Sequence, residues 1–340
     1  MAYTTINKSS DYFNTKLYTG NGSNGHAITG VGFQPDFVWI KDRDTATNHM
    51  VTDAVRGATK TLHTQNTDVE STAVNALSSF NTDGFTVNTD TDLNANNKKN
   101  VAWNWKANGA GSANTEGSVS ATVSANTTAG FSIVQYNTAG SGTQTMGHGL
   151  DSAPTFIITK PTQNSESWYV YIPTGVSSSL RLNTTAAAVS STPYAGTPTD
   201  TLFSINNGVI GGYTGVISYC FTDVKGYSKF GSYTGNGNAD GPFVYTGFKP
   251  AFVMVKESSS TGSWCIFDNK RLGYNPNNPR LYPNNTNAED ASETIFDIVS
   301  NGFKIRGDQS DTNASGQTYI YMCFAEAPLV GSNNVPCTAR

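Results

Sequence analysis

The residue types best able to do chemistry recur in two places. Asp53-Ala54-Val55-Arg56 is followed by Glu70, and Asp268-Asn269-Lys270-Arg271 is followed by Glu289. Two carboxylates flanking a scissile bond can serve as the acid and base of a glycosidase. An arginine can equally donate to two carboxylates at once and pin a long loop. Duplication favours the second use, because a feature present twice belongs to a repeated unit. Asp53, Arg56, Glu70, Asp268, Arg271 and Glu289 are therefore expected to form structural ion pairs, and no catalytic or cofactor-binding residue is expected.

Other chemistry is sparser. Asp90-Thr91-Asp92-Leu93-Asn94 has oxygen side chains at alternate positions, as in a calcium loop. Ala95 replaces the sharp-turn glycine and Val101 the bidentate glutamate. Asp308, Asp311 and Asn313 occupy a similar stretch later in the chain. Solvated turns are the expectation for both, with no metal. His26, His49, His63 and His148 are scattered, and no serine lies in a Gly-x-Ser-x-Gly elbow. Gly20-Asn21-Gly22 opens no helix, so it is not a phosphate loop. Cys220, Cys265, Cys323 and Cys337 show neither Cys-x-x-Cys nor metal-ligand spacing, and read as free buried thiols.

The elements that must position these residues repeat three times. Pro35, Pro154 and Pro250 each precede an apolar run that ends, six residues on, in Lys41, Lys160 or Lys256. Tyr18, Tyr136 and Tyr233 stand 17, 18 and 17 residues before their prolines. His49, Trp168 and Trp264 stand fourteen residues after them. Each copy closes on an aromatic run: Val101 to Trp105, Ile217 to Phe221, Tyr319 to Phe324. The middle copy departs at the chemical positions, with Ile172 for the aspartate and Ala187 for the glutamate.

Short β-branched and aromatic runs separated by turn residues predict strands. Asp83-Gly84, Asn207-Gly208 and Asn301-Gly302 read as hairpin turns. The best helix candidate, Val69 to Leu77, is short. The fold class expected is all-β, as three tandem antiparallel β-sandwiches of a jelly-roll or lectin-like kind, with a barrel as the alternative. The domains expected are residues 1–108, 119–225 and 226–340, the last with a C-terminal tail. Residues 107–114 read as a flexible linker.

Composition bounds the function. The 340 residues include 33 glycines, 11% aromatic and only 14% charged residues, with a net charge of −4. The aromatics exclude disorder, and the charge argues against a basic nucleic-acid surface. No apolar run reaches the roughly 20 residues of a membrane helix, and the first residues lack a signal-peptide pattern.

The stretches Gly32 to Arg43, Asp53-x-x-Arg56-Gly57, Asn66-Thr67-x-x-Glu70, Ser79 to Phe85 and Val101 to Lys106 resemble a repeat domain found in tailed phages of marine bacteria and cyanobacteria. Phe324-Ala325-Glu326-Ala327-Pro328-Leu329-Val330-Gly331 resembles it too. The resemblance implies a virion structural protein associated with tail fibres, assembled in the host cytoplasm. A surface-exposed tail fibre or receptor-binding component is the expected function. A capsid decoration or head fibre protein is the alternative. Expected partners are other virion proteins, a host surface glycan and further copies of the chain, without nucleic acid, membrane insertion or cofactor.

Overall fold

The computed structural model describes residues 3–172, 178–331 and 335. It is all-β, with antiparallel sheets and only four-residue α-helices. The sheets fall into three pairs, each a larger sheet and a smaller one. The larger sheets share one strand order: an opening strand, the closing strand, the post-proline strand, then a third strand. The opening strands are Phe13–Thr19, Phe131–Tyr136 and Ser228–Thr234. The closing strands are Lys99–Trp105, Val216–Phe221 and Thr318–Pro328. The post-proline strands are Phe37–Asp42, Phe156–Pro161 and Phe248–Glu257, and the third strands are Met50–Asp53, Tyr169–Tyr171 and Trp264–Asp268. Phe37 pairs with Trp105, Phe156 with Phe221 and Phe252 with Phe324, so the three registers coincide.

The smaller sheets cover one face of each larger sheet. They are His26–Thr29 with Gly84–Val87 and Leu77–Asn81, then Thr143–Gly147 with Leu202–Asn206, then Phe243–Tyr245 with Gly302–Ile305 and Phe296–Val299. Among the described residues no strand of one pair joins the backbone ladder of another. We call each pair of sheets a unit.

Side chains alternate across a strand, and here both faces are covered. Val38 and Ile40 point into the first unit's own core; Val253 and Val255 do the same in the third. Phe37, Trp39, Phe156, Ile158, Phe252 and Met254 point the other way, into one cluster built from all three units. This is why the post-proline runs are continuously apolar: a strand covered on both faces has no side left for alternating polar residues. Aromatic rings cross every boundary. Phe37 lies 4.4 Å from Tyr219, Trp103 5.8 Å from Phe252, and Phe156 5.5 Å from Phe230.

The contacts between units are cyclic. Glu70 N–H donates to Thr162 C=O at 2.7 Å, Ala188 to Ser258 at 2.9 Å and Glu289 to Arg43 at 2.9 Å. These are one contact made three times: second unit with first, third with second, first with third. The three sandwiches therefore close around a pseudo-threefold axis, with the shared cluster at its centre.

Two local expectations, the Asn207 turn and the flexible linker, differ from the structure. Asn207–Ile210 is a short helix capped by the Asn206 side chain rather than a hairpin turn. Residues 69–77, the weak helix candidate, hold a short strand, Ser71–Thr72, and no helix. The expected linker is tied down. Ala107 N–H donates to Asp36 Oδ2, Asn108 N–H to Ser124 Oγ, and Ser112–Asn114 pairs with Ala121–Asn126. Its glycines supply turns at this junction; Gly111 has a φ of 78°.

Candidate functional site: carboxylate–arginine networks between the units

Asp53 and Asp268 end their third strands, opposite Phe37 and Phe252. Each folds the following turn onto itself. Asp53 Oδ1 accepts from Val55 N–H and Arg56 N–H; Asp268 Oδ1 accepts from Lys270 N–H and Arg271 N–H. The second oxygen takes the guanidinium Nε, at 2.5 Å from Arg56 and 2.6 Å from Arg271. Arg56 Nη1 reaches Glu70 at 3.2 Å and Arg271 Nη1 reaches Glu289 at 3.0 Å. Remaining donors meet the carbonyls of Lys60 and Val51 in the first unit and of Ile266 in the third. The structure thus brings together all three residues of each set.

A residue from another unit completes each network. Tyr219 of the second unit donates its hydroxyl to Asp53 Oδ2 at 2.7 Å. Trp103 of the first donates its indole N–H to Asp268 Oδ2 at 3.1 Å. Arg43 of the first unit adds a two-pronged contact to Glu289, at 2.7 and 2.9 Å. Tyr219 and Trp103 hold the same position in their closing strands. The equivalent residue of the third unit is Met322, and the residue equivalent to the aspartates in the second is Ile172; both lie in the shared apolar cluster. The missing aspartate is thus matched by a missing donor, and the third boundary is apolar where the other two are polar.

Electrostatics favour permanent ion pairs. Burial works against charge on Arg56, yet Asp53, Tyr219 and Glu70 outweigh it and hold the guanidinium above its ordinary value. Burial would raise Asp268, but Arg271 and two backbone N–H groups bring it below the ordinary carboxylate range. Burial pushes the Tyr219 phenol well up, so it remains a donor. The Asp53 and Arg56 side chains are at most 1% exposed, and Arg56 lies between the two carboxylates. A glycosidic bond would need that place. The arrangement can lock units together; a substrate reaches it only if the body opens.

Ring donors cross two of the three boundaries. Trp168 Nε1 donates to His63 C=O of the first unit, and Trp264 Nε1 to Arg181 C=O of the second. His49 takes this place in the first unit. It accepts from Trp39 Nε1 through Nδ1 at 3.0 Å, so the neutral ring carries its proton on Nε2, which faces the Tyr282 backbone without a close hydrogen bond. Size is conserved across the swap. Trp39 with His49 fills the room of Ile158 with Trp168 and of Met254 with Trp264. Burial, with Lys41 and Arg271 nearby, holds His49 well below its ordinary range.

The three post-proline lysines are buried and bridge loops. Lys41, Lys160 and Lys256 donate to the carbonyls of Asp42, Pro161 and Glu257 respectively. Lys160 also reaches Thr67 of the first unit and Lys256 Thr185 of the second. Burial pulls each amine down to about 8, against nearby carboxylates.

The two calcium-like stretches are filled by an amide. Asn94 Nδ2 donates to Ser23 C=O, Asn88 C=O and Asn21 Oδ1. Asn313 repeats this with Asn238 C=O, Gly307 C=O and Asn236 Oδ1. Each amide ties its short helix to the Asn-Gly loop and to the backbone just before the helix, and none of the oxygens it meets is a carboxylate of the calcium-like stretch. Gly20 and Gly235 allow that close approach, since a Cβ there would sit 2.2 and 2.3 Å from the carbonyl oxygens of Ala95 and Ala314. Among the described residues no cluster of three or more His, Cys, Asp or Glu side chains could hold a metal. Cys220, Cys265 and Cys323 are free and buried, and Cys337 lies outside the described residues.

Arg43, Tyr219 and Trp103 were not expected in these networks. The legible signal was in the columns of the repeat, where Tyr219, Trp103 and Met322 vary in step with aspartate, aspartate and isoleucine.

A family model described as Domain of unknown function (DUF7483) matches residues 8–328, and the chain belongs to that family. No curated protein and no solved structure matches the chain.

Proposed function

We propose that this member of the family is a non-enzymatic structural protein of a bacteriophage particle surface. It works by binding, as a tail fibre or receptor-binding component that contacts the host surface. The observation that carries the reading is the use of its reactive residues. The carboxylates and arginines that could serve hydrolysis are tied up between units, where Tyr219 and Trp103 complete their hydrogen bonding. What remains outside is binding chemistry: polar loops and the exposed rings of Phe243, Tyr245 and Tyr274. Loops on a rigid scaffold commonly carry recognition. The particle context rests on the resemblance of the repeat motifs to a tailed-phage domain, which is an analogy.

The pseudo-threefold body favours a second reading, capsid decoration. A body with three similar faces can contact equivalent neighbours in a symmetric lattice. One comparison separates the two. Purified protein is offered intact host cells and capsids stripped of this protein. Adhesion to cells that soluble glycans compete away supports the first reading, and capsid binding without cell binding supports the second. Turnover of a host polysaccharide would overturn both.

A further inference from the structure

The three units finish the edge of the small sheet differently. In the third, the strand Phe243–Tyr245 pairs only with Gly302–Ile305, with Phe243 opposite Lys304, Val244 opposite Phe303 and Tyr245 opposite Gly302. Ile305 N–H donates to Pro242 C=O, and Thr246 N–H to Asn301 C=O. Hydrogen-bonded positions alternate along an antiparallel pair. Val244 therefore turns its N–H and C=O toward Phe303, while Phe243 and Tyr245 turn theirs to the free edge. Among the described residues nothing bonds the outward N–H and C=O of Phe243 or the N–H of Tyr245. Tyr245 C=O takes the Lys229 ammonium at 3.3 Å.

The second unit covers the same edge with its own chain. Met146 faces Phe203 there as Val244 faces Phe303. The neighbouring Thr145 donates its N–H to Ser118 Oγ at 2.9 Å and accepts from Val119 N–H at 3.2 Å. The residues matching Phe243 and Tyr245 are Thr145 and Gly147 in the second unit, and Ala27 and Thr29 in the first. Only the third unit sets two large rings on this edge. Both are half-exposed, Phe243 at 49% and Tyr245 at 50%. The fold does not require them, since its other two copies do without.

An uncovered edge with apolar side chains is a template for another strand, and charge selects which. Asp240 stands ahead of Phe243 with its side chain 84% exposed, and Lys229 stands at the Tyr245 end. A second copy of this strand, laid antiparallel, sets the acidic end of each against the basic end of the other. We propose that Phe243–Tyr245 pairs in this way with the same strand of a second copy, about a twofold axis at Val244. Phe243 then lies opposite the partner's Tyr245, as in a cross-strand aromatic pair. The outward N–H and C=O groups of these residues make four backbone bonds, and Lys229 turns from Tyr245 C=O to the partner's Asp240. A contact between identical patches is self-complementary and closes at two copies. Two of the exposed rings named above are thereby assigned to self-association, and the inference stands whether or not the protein belongs to a particle.

The test is sedimentation equilibrium of the full chain, from micromolar to near-millimolar concentration. The expected result is a reversible monomer–dimer equilibrium without larger species. Tyr245→Ala should weaken association about tenfold or more, the scale of one lost aromatic anchor. Tyr245→Lys sets a charge on the edge and should leave only monomer. Asp240→Lys should also weaken association. Ala27→Lys, at the matching edge of the first unit, should leave it unchanged. Circular dichroism confirms that each variant is folded before it is compared. Monomer at every concentration would overturn the proposal. So would a dimer indifferent to both Tyr245 substitutions, a dimer that Ala27→Lys disrupts, or association that runs past two copies.

Discussion

Asp53 of the first unit accepts a 2.7 Å hydrogen bond from the hydroxyl of Tyr219, a residue of the second unit 166 positions away. The same carboxylate oxygen holds Arg56 Nε. One atom thus ties a loop to its own sheet and one sandwich to the next. Trp103 and Asp268 repeat the relation between the first and third units.

Removing the arginine leaves Asp53 and Glu70 without their shared cation. Breaking a buried pair from one side costs on the order of 3–5 kcal/mol. Arg56→Ala should lose stability of that size in urea unfolding, and Arg271→Ala should behave alike. A loss under about 1 kcal/mol, as for a surface pair, would show that the networks carry little load.

The apolar boundary should reject a charge. Ile172 is 1% exposed, and Gly175, not arginine, stands three residues on. Ile172→Asp would bury a carboxylate in the shared apolar cluster, so we expect a melting temperature far below wild type, or no soluble protein. Ile172→Val removes one methylene and should cost about 0.5–1.5 kcal/mol. Equal, small effects of both variants would contradict the placement of Ile172 in the shared apolar cluster.

His49 gives a pH signature. Its folded pKa lies well below the ordinary 6.5 because burial disfavours the cation, with Lys41 and Arg271 adding to the effect. The unfolded chain then binds the extra proton first, so stability is present above about pH 6.5 and is lost as pH falls below it. At 1.36 kcal/mol per pKa unit, the loss by pH 5 is at most about 2 kcal/mol. His49→Gln keeps an acceptor for Trp39 and does not titrate. The wild-type minus variant stability should fall between pH 7.5 and 5; a constant difference would mean that His49 stays accessible to protons.

Calcium should have no thermal effect. The Asn94 and Asn313 amides already bridge their loop oxygens. Melting curves with millimolar calcium and with chelator should coincide, while Asn94→Ala should melt lower. An upward shift of several degrees with calcium would show that cations use these loops.

Much of the unit plan was legible because it rests on local chemistry. Prolines, turn glycines and apolar runs at fixed spacing mark the post-proline and closing strands. The pairing of Asp53 with Arg56 follows from a three-residue turn. The shared core was not legible, because Phe37 and Trp39 look like residues of any buried strand; what covers their second face is decided by units far away in the chain. Tyr219 stayed hidden for the same reason. A tyrosine in an aromatic strand reads as packing until its hydroxyl is seen to meet a carboxylate. The Asn207 turn misled because Asn-Gly suits a helix cap and a hairpin equally well, and the Asn206 side chain decided between them.

The central claim is that the chemically capable residues are locks between units. A double-mutant cycle on Asp53 and Tyr219 tests it most directly, with Asp53→Asn, Tyr219→Phe and the pair compared by equilibrium urea unfolding at pH 7. Residues in one hydrogen-bond network show coupling of about 0.5–3 kcal/mol. We expect a value above 1 kcal/mol, with both single variants still folded. Additivity of the two changes within about 0.5 kcal/mol, the behaviour of independent sites, would contradict the account.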